Sequence, residues 1–292
     1  MEVVVTIPAF NEEKRIRELV TKIRNVMRSA KYSYKILVVD DGSSDSTAQI
    51  AKQAGATVYS HPQNYGLAET FRTEIDKALK LGADVIVHID ADMQYNPKEI
   101  AKLLKEIDKG YDLVIGSRIK GTIESMPAIK KIGNIAFSKV ISGIVRADIS
   151  DAQSGFRAFT KDVAKMPIMS NHTYTQEQII RAVKNKFKIK EVPIHFAKRD
   201  GKSRLISNPF EYAIKAWINI IRTYRDYEPL KFFGFVGGLL VSMGFLIGLY
   251  LIYLHFTSGI VGHFPLIMLD VLILSLGLQI IIFGFLADML RR

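Results

Sequence analysis

Two long apolar segments near the C-terminus constrain this 292-residue chain more than any other feature. The first, 232–254, contains no charged residue, and the second, 264–287, has only Asp270 and Gln279 as strongly polar residues. Each is long enough to cross a bilayer, which requires about 20 predominantly apolar residues. A buried helix of a soluble protein rarely has so long an unbroken apolar run. We therefore expect a two-helix transmembrane hairpin over 229–292.

Basic residues flanking these segments predict how the chain is oriented. Arg222, Arg225 and Lys231 precede the first segment and Arg291 and Arg292 follow the second, whereas the connecting HFTSGIVGH has neither lysine nor arginine. Cytoplasmic flanks of membrane helices carry an excess of lysine and arginine. We therefore expect a multi-pass protein of the cell membrane with two spans, whose N-terminal part and both termini are cytoplasmic. The first apolar run, VVVTIPAF, is too short for a signal peptide and has no basic lead.

The net charge of +11 is compatible with anionic lipid, nucleic acid or a phosphorylated substrate as partner. The lipid bilayer is the simplest of these partners, because the cations surround the predicted membrane helices. Nucleic acid is not expected, since no aromatic stacking platform is evident. The chain has no cysteine, which excludes disulfides and thiolate metal sites.

The N-terminal part alternates short apolar runs with charged helical stretches. The apolar runs are EVVVTIPA, YKILVVD, ATVYS, DVIVHID and DLVIGSR. This alternation predicts an α/β fold, with a mostly parallel sheet covered by helices on both faces. In such sheets, ligands bind at the carboxyl ends of the strands. We therefore expect the polar clusters PAFNE, DDGSSD, DADMQ and GSR, each of which follows a strand, to meet at one edge.

The cluster DADMQ crowds two carboxylates together. Asp90 and Asp92 repel each other unless a cation lies between them. Mg²⁺ or Mn²⁺ prefers oxygen ligands and keeps positions for substrate phosphates, so Asp90, Asp92 and the Gln94 amide oxygen form a candidate metal site. The alternative is a solvated turn with an Asx cap before Pro97. His88, on the preceding strand, is expected to be a core residue rather than a ligand.

A second acidic cluster, VVDDGSSD, favours the metal interpretation over the turn. Gly42 permits a tight turn and residues 43–45 are typical of a helix N-cap, which is ordinary strand-turn-helix chemistry. That chemistry does not account for the doubled Asp40 and Asp41, where a carboxylate can accept hydrogen bonds from a base or a ribose hydroxyl. The chain has neither G-x-G-x-x-G nor a P-loop, so a Rossmann cofactor and a P-loop NTPase are not supported.

In this order, IPAFNE, VVDDGSSD, DADMQ, GSR and DAQSGFRAF make the chain resemble the family-2 glycosyltransferases of GT-A fold. Within that family it is most similar to polyprenyl-phosphate sugar transferases of the dolichol-phosphate mannose synthase type. The resemblance implies a Rossmann-like GT-A catalytic domain over 1–206 that uses Mg²⁺ or Mn²⁺. It further implies transfer of a hexose from a nucleotide-sugar donor to dolichyl or polyprenyl phosphate, and direct in-line attack predicts inversion at the anomeric carbon.

The resemblance also implies roles for individual residues. The metal site is again Asp90, Asp92 and Gln94. The residues expected to bind the nucleotide are Pro8, Ala9, Glu12, Asp41, Asp90, Arg199, Ser203 and Arg204. The residues expected at the reacting phosphates, as the catalytic set, are Asp92, Arg118, Lys130 and Asn134. Lys130 stands where the family often has arginine, and it would bind a phosphate as a point charge rather than as a fork.

The donor and the class of function have alternatives. Leu67 in NYGLAETFR matches the mannose synthases, so GDP-mannose is favoured, with UDP-glucose or UDP-N-acetylglucosamine as alternatives. A phosphate acceptor is mostly dianionic at neutral pH and needs no strong base. Glu177 is therefore expected to be a positioning or structural residue. A processive polysaccharide synthase is not expected, because such enzymes carry a Q-x-x-R-W motif and here Ala216, not arginine, precedes Trp217. An alternative of another class is a catalytically silent membrane scaffold.

Two segments have apolar residues at helical spacing beside basic residues, a pattern typical of helices at a membrane surface. Segment 207–228 directly precedes the first predicted span and is predicted to be an amphipathic interface helix. Segment 127–145 is a candidate interface helix and is equally compatible with a helix that faces the core. The glycines of GGLLVSMGFLIG in the first span indicate a helix-packing face and, with it, a homo-oligomer.

Overall fold

The computed structural model describes residues 1–169, 174–198, 209–259 and 264–290. Contacts within the chain divide it into two units, Met1–Ala213 and Ile214–Arg292, and each is described by itself below. The predicted boundaries at 206 and 228 differ from this division and stay predictions.

The first unit is a seven-stranded sheet with helices between the strands. Strands β1 to β7 are Glu2–Ala9, Ser33–Asp40, Thr57–Ser60, Val85–His88, Leu113–Ile123, Arg157–Thr160 and Ile189–Phe196. Helices α1 to α7 are Ile16–Arg28, Thr47–Gln53, Leu67–Lys80, Ile100–Asp108, Ala128–Val145, Lys161–Ala164 and Tyr174–Lys184. A short 3₁₀ helix, Pro97–Glu99, directly precedes α4.

The strand order is β3-β2-β1-β4-β6-β5-β7, and only β6 runs antiparallel to its neighbours. The remaining pairs are parallel, so the predicted α/β fold with a mostly parallel sheet is confirmed. The insertion of β6 leaves β4 and β5 pointing in the same direction. The carboxyl ends of β1, β2 and β4, where three of the four polar clusters lie, are therefore at one edge. The fourth cluster, GSR, was expected to follow a strand but lies within β5, because that strand continues to Ile123.

The two faces of the sheet bury different sets of side chains. On one face, Val85, Val87 and Ile89 join a core cluster with the apolar stripes of α1 and α4. Because successive side chains of a strand point to opposite faces, Ile86 and His88 belong to the other face. Helix α3 packs against β1 and β2 and buries residues that recur at helical spacing, among them Phe71, Glu74, Ile75 and Ala78. Both faces are thus covered, as in other mostly parallel sheets.

The second unit contains the C-terminal part of α8 (Pro209–Tyr227), followed by α9 (Pro229–Ser258) and α10 (Phe264–Leu290). Over Pro229–Thr257 and Phe264–Leu290, α9 and α10 are long and apolar enough to cross a membrane. Most of their apolar side chains are exposed, whereas a core helix of a soluble protein buries such side chains. In α8, exposed Ile214, Trp217, Ile218 and Ile221 recur at helical spacing.

Glycines bring α9 and α10 into close contact along each other. A Cβ added to Gly237 would lie 2.6 Å from the carbonyl oxygen of Gly277, and one added to Gly244 would lie 2.7 Å from Leu274. Small residues allow the backbones of membrane helices to approach closely in this way. Gly238, by contrast, has open space where a Cβ would stand. Gly237 and Gly244 of the predicted packing face therefore contact α10 within the same chain. The homo-oligomer stays a prediction.

Candidate functional site

The DADMQ segment follows β4 at the carboxyl edge of the sheet and is fastened to the end of β7. The Gln94 side-chain nitrogen donates to the carbonyl oxygen of Ala197 at 3.1 Å, and the Ala197 backbone nitrogen donates to the Gln94 carbonyl oxygen at 2.9 Å. Met93 has a φ of 65°, a left-handed value that turns the chain. The Gln94 backbone nitrogen donates to Asp92 Oδ1 at 3.1 Å. One short, fixed segment therefore carries all three predicted metal ligands.

The chemistry of this donor set fits a hard divalent cation. Two carboxylates and an amide oxygen are the ligands that Mg²⁺ and Mn²⁺ prefer, and the side chain of Asp90 is 32% exposed. Gly155 lies beside it, and a Cβ at that position would stand 3.0 Å from Asp90 Oδ2, so a larger residue there would press on the carboxylate. Among the described residues, no three His, Cys, Asp or Glu side chains come together as a metal site. The two carboxylates and the Gln94 amide would therefore not complete the coordination of a cation by themselves. A cation here would take its remaining ligands from substrate phosphates or water.

A buried pair of titratable side chains lies behind Asp90. His88 Nδ1 and Glu74 Oε2 are 2.6 Å apart, His88 Nε2 is 3.6 Å from Asp90 Oδ1, and both His88 and Glu74 are fully buried. Burial alone would lower the pKa of His88, but the carboxylates of Glu74 and Asp90 raise it to about 9. His88 is therefore a core residue, as expected, but it is also the immediate neighbour of a predicted metal ligand. Sequence analysis missed Glu74.

Asp41 lies at the wall of a cavity of about 240 Å³ at the same edge. Its Oδ1 accepts hydrogen bonds from His61 Nδ1 at 2.8 Å and from the Tyr65 backbone nitrogen at 2.9 Å. Its Oδ2 accepts one from the Gly66 backbone nitrogen at 2.9 Å. The cavity is lined by Pro8, Ala9, Phe10, Asp41, Asn64, Gly66, Leu67 and Thr70. Three predicted nucleotide-binding residues thus meet at one cavity.

Glu12, the fourth residue predicted for the nucleoside, does not line this cavity. Its carboxylate pairs with Arg15 at 3.0 Å, and its backbone nitrogen donates to Thr47 Oγ1 at 2.8 Å. The hydrogen bond to Thr47 fastens the segment before α1 to the start of α2. The predicted role of Glu12 in nucleotide binding stays a prediction. Arg199, Ser203 and Arg204 lie outside the described residues.

Arg118 forms a buried ion pair at the end of the GSR cluster. Its Nε donates to Asp151 Oδ2 at 2.8 Å and its Nη2 to Asp151 Oδ1 at 2.7 Å. Asp151 is in turn positioned by Glu191, which accepts hydrogen bonds from the backbone nitrogens of Ser150 and Asp151. The family resemblance predicted that Arg118 contacts the acceptor phosphate, and no sequence pattern indicated Asp151 as its partner. That role stays a prediction, and any phosphate has to share the guanidinium with Asp151.

Arg157, in DAQSGFRAF, is a fully buried cation that sequence analysis did not single out. Its Nη1 donates to the carbonyl oxygen of Thr175 at 2.9 Å and to Gln178 Oε1 at 3.0 Å. Another hydrogen bond joins its Nη2 to the carbonyl oxygen of Ser154. Burial lowers the pKa of Arg157 to about 10. The Arg157 side chain joins β6 to α7 and therefore stabilises the fold. Gly155, in the same motif, lies beside Asp90 at the candidate metal site.

The other predicted residues lie on α5 and α7. Lys130 and Asn134 are one turn apart on α5, and Asn134 is only 1% exposed, with its Nδ2 at 3.9 Å from Met126 Sδ. Glu177 on α7 is 1% exposed and accepts hydrogen bonds from Arg181 Nε and the Met169 backbone nitrogen. Those contacts fit the structural role expected for Glu177. The roles of Lys130 and Asn134 stay predictions.

Comparison with known proteins identifies what this arrangement is similar to. Residues 4–166 match the family model described as Glycosyl transferase family 2. The UDP-N-acetylglucosamine–dolichyl-phosphate N-acetylglucosaminyltransferase of Methanococcus voltae is 36% identical over 213 residues, which are 64% of this chain and 82% of that protein. The dolichyl-phosphate hexose transferase of Haloferax volcanii is 32% identical over 213 residues, which are 72% and 88%.

A solved structure has the same fold at low sequence identity. Glucosyl-3-phosphoglycerate synthase from Mycobacterium tuberculosis, crystallised with Mn²⁺ and UDP, aligns with a TM-score of 0.58 at 17% identity. The alignment covers 75% of this chain and 79% of that one. Another crystal of that enzyme contains Mg²⁺ and UDP. At this identity, the likeness establishes the fold alone.

Proposed function

Since the chain belongs to glycosyl transferase family 2 and is a glycosyltransferase, we propose that it transfers a sugar from a nucleotide-sugar to a polyprenyl phosphate such as dolichyl phosphate. The products are a lipid-linked monosaccharide and a nucleoside diphosphate. The observation that carries the proposal is the pairing, at one sheet edge, of an oxygen donor set with a cavity for a nucleoside. Asp90, Asp92 and Gln94 supply the donors, and Asp41 marks the cavity.

The proposed reaction places negative charge on the departing diphosphate, so it requires fixed positive charge more than a strong base. A bound Mg²⁺ or Mn²⁺ supplies that charge when Asp90, Asp92 and Gln94 hold it. We propose that the acceptor phosphate attacks the anomeric carbon as a dianion, with inversion, and that Lys130, on α5, attracts it. The buried contacts of Glu177 support a mechanism without a general base at that position.

The hydrogen bonds of Asp41 favour uracil over guanine as the base. A carboxylate has about four acceptor sites, and three of those on Asp41 are used by His61, Tyr65 and Gly66. Uracil presents one donor, N3–H, whereas guanine presents N1–H and an amino group and is best met by both oxygens of a carboxylate. The Methanococcus relative, named for UDP-N-acetylglucosamine, supports the same choice. We therefore place a UDP-sugar ahead of GDP-mannose, the donor that Leu67 favoured.

The proposed acceptor accounts for the C-terminal helices. We propose that α9 and α10 span the membrane, with the N-terminal unit on the cytoplasmic side, because basic residues flank the hairpin and its connecting segment lacks them. The exposed apolar stripe of α8, with Arg222 and Arg225 also exposed, supports a helix that lies in the membrane surface. A phosphate on a lipid stays at that surface, so the enzyme has to be held there.

A transfer assay tests the proposal. Purified full-length protein is incubated with dolichyl or undecaprenyl phosphate and labelled GDP-mannose, UDP-glucose or UDP-N-acetylglucosamine, each with Mn²⁺ or with EDTA. We expect one UDP-sugar to label the lipid fraction and EDTA to abolish the labelling. Transfer from GDP-mannose alone would overturn the choice of base. No transfer under any condition would contradict the proposed function and favour the catalytically silent scaffold.

A further inference from the structure

The alternation of side chains along β4 places His88 on the same side of the sheet as Asp90. Val85, Val87 and Ile89 enter the core cluster on one face, so His88 and Asp90, one residue to either side of Ile89, share the other. The main chain fixes this register, because Ile89 donates its backbone nitrogen to the Thr6 carbonyl oxygen at 3.1 Å. A fully buried imidazole therefore stands directly behind a carboxylate that opens to solvent.

Helix α3 supplies the group that holds this imidazole. Phe71 and Glu74 belong to its buried stripe, and the ring of Phe71 meets the His88 ring edge-on, with centroids 5.1 Å apart. Glu74 Oε2 lies 2.6 Å from His88 Nδ1, which leaves Nε2 directed at Asp90, 3.6 Å from Oδ1. Ring packing and the Glu74 contact together leave His88 a single orientation. Nε2 is buried and makes no hydrogen bond, so its contact with Asp90 at 3.6 Å is a charge contact rather than a hydrogen bond.

We propose that Glu74 and His88 act as a positioning pair that holds Asp90 in the orientation required for cation binding. The inference rests on the proposed metal site at Asp90 and deepens it. Carboxylates and histidines that stand behind a metal site orient its ligands, and their loss typically lowers metal affinity about 10- to 100-fold. Gly155 also lies close to this carboxylate, since a Cβ there would stand 3.0 Å from Asp90 Oδ2. Neither Glu74 nor His88 touches the cation itself.

A pair that served only packing would be replaceable by apolar residues of similar size. Replacement of a buried ion pair by well-packed hydrophobic residues is often neutral or stabilising, whereas removal of one partner leaves a buried charge. The informative variant is therefore the double substitution Glu74→Leu/His88→Leu. A merely structural pair predicts an unchanged melting temperature and unchanged Mn²⁺ affinity for this variant. A positioning pair predicts an unchanged melting temperature and weakened Mn²⁺ binding.

The experiment measures Mn²⁺ binding to the detergent-purified full chain by electron paramagnetic resonance, with UDP present and no acceptor. We expect the dissociation constant for Mn²⁺ to rise about tenfold in the double variant. In turnover assays, the KM for Mn²⁺ should rise more than kcat falls. His88→Gln keeps an N–H donor near the position of Nε2, so it should recover part of the affinity. Glu99→Gln, a buried acid on another helix, is the matched control and should bind as the unmodified chain does.

The outcomes separate the two proposals. If the unmodified chain binds no Mn²⁺ with UDP, the metal site itself fails. If it binds Mn²⁺ and the folded double variant binds equally well, the positioning role of Glu74 and His88 is wrong and the metal site stands. If the double variant does not fold, the comparison of His88→Gln with His88→Leu decides, because equal Mn²⁺ affinities in those two variants would overturn the inference.

Discussion

Arg118 and Asp151 meet through two parallel hydrogen bonds, and the backbone nitrogen of Arg118 donates a third, at 2.9 Å, to the same carboxylate. Arg118 is 6% exposed and Asp151 fully buried, so this is an internal pair and not a surface salt bridge. Such a planar contact fixes the guanidinium strongly. The orientation of Arg118 is thus set before any substrate binds.

Removal of Asp151 should destabilise the protein more than removal of a neighbouring acid. Asp151→Ala leaves a buried cation without a partner, and we expect a loss of about 3–5 kcal/mol in the free energy of unfolding. Asp148→Ala removes an acid three residues away whose side chain is 91% exposed, and it should cost less than about 0.5 kcal/mol. Thermal melts followed by circular dichroism compare the two. Equal melting temperatures would mean that the Arg118 pair contributes little.

Asp92→Asn should abolish transfer while leaving the fold intact. The substitution keeps the size of the side chain but removes a negative charge from the proposed metal site, and we expect the rate to fall by at least about 100-fold. Excess Mn²⁺ should recover part of this loss if the defect lies in cation binding. Asp76→Asn, on the exposed side of α3, is the control and should retain activity. An active Asp92→Asn enzyme insensitive to EDTA would contradict the metal role.

Trp217 provides a direct measurement of where α8 lies. It is the single tryptophan of the chain and its side chain is 61% exposed. In nanodiscs, we expect lipids brominated near the headgroup to quench its fluorescence more than lipids brominated near the end of the acyl chain. The variant Trp217→Phe/Phe245→Trp moves the probe to the middle of α9, where the order should reverse. Quenching by neither lipid would show that α8 does not contact the membrane.

Gly277 should tolerate a larger side chain less well than Gly238. A Cβ on Gly277 would stand 2.8 Å from Val241 Cγ2, whereas a Cβ on Gly238 has no neighbour within 4 Å. We expect Gly277→Leu to lower the stability of the hairpin by about 1–3 kcal/mol through overpacking, and Gly238→Leu to leave it nearly unchanged. Unfolding in mixed detergent micelles measures both. A change of oligomeric state in Gly238→Leu alone would support the predicted homo-oligomer.

The sequence predicted those parts of the fold whose signals are local. Asp90, Asp92 and Gln94 follow an apolar strand, and the edge rule for parallel sheets was enough to place them at the same edge of the sheet as Asp41. The strands β6, Arg157–Thr160, and β7, Ile189–Phe196, were not among the predicted apolar runs, and their pairing with β4 and β5 is long-range and visible only in the fold. The family and its GT-A fold were identified correctly from the order of the motifs.

Long-range pairing explains what the sequence did not reveal at the site. Glu74 and His88 are 14 residues apart, and Arg118 and Asp151 are 33 apart. No spacing rule for a helix or strand relates residues at such distances; the fold alone brings them together. The sequence motifs predicted roles for Arg118 and Asp41, but the groups that already form hydrogen bonds with them, among them the backbone nitrogens of Tyr65 and Gly66, became visible only in three dimensions.

The close contact of α9 and α10 at Gly237 and Gly277 limits where the hydrocarbon chain of the proposed acceptor can lie. With backbone atoms of the two helices almost touching, no isoprenoid unit can thread between them. A long prenyl chain would therefore contact the outer surfaces of the hairpin, where Leu246 and Leu278 are exposed. Selectivity for tail length or saturation would then be encoded on those surfaces, and it could change during evolution without disturbing the residues that handle the sugar.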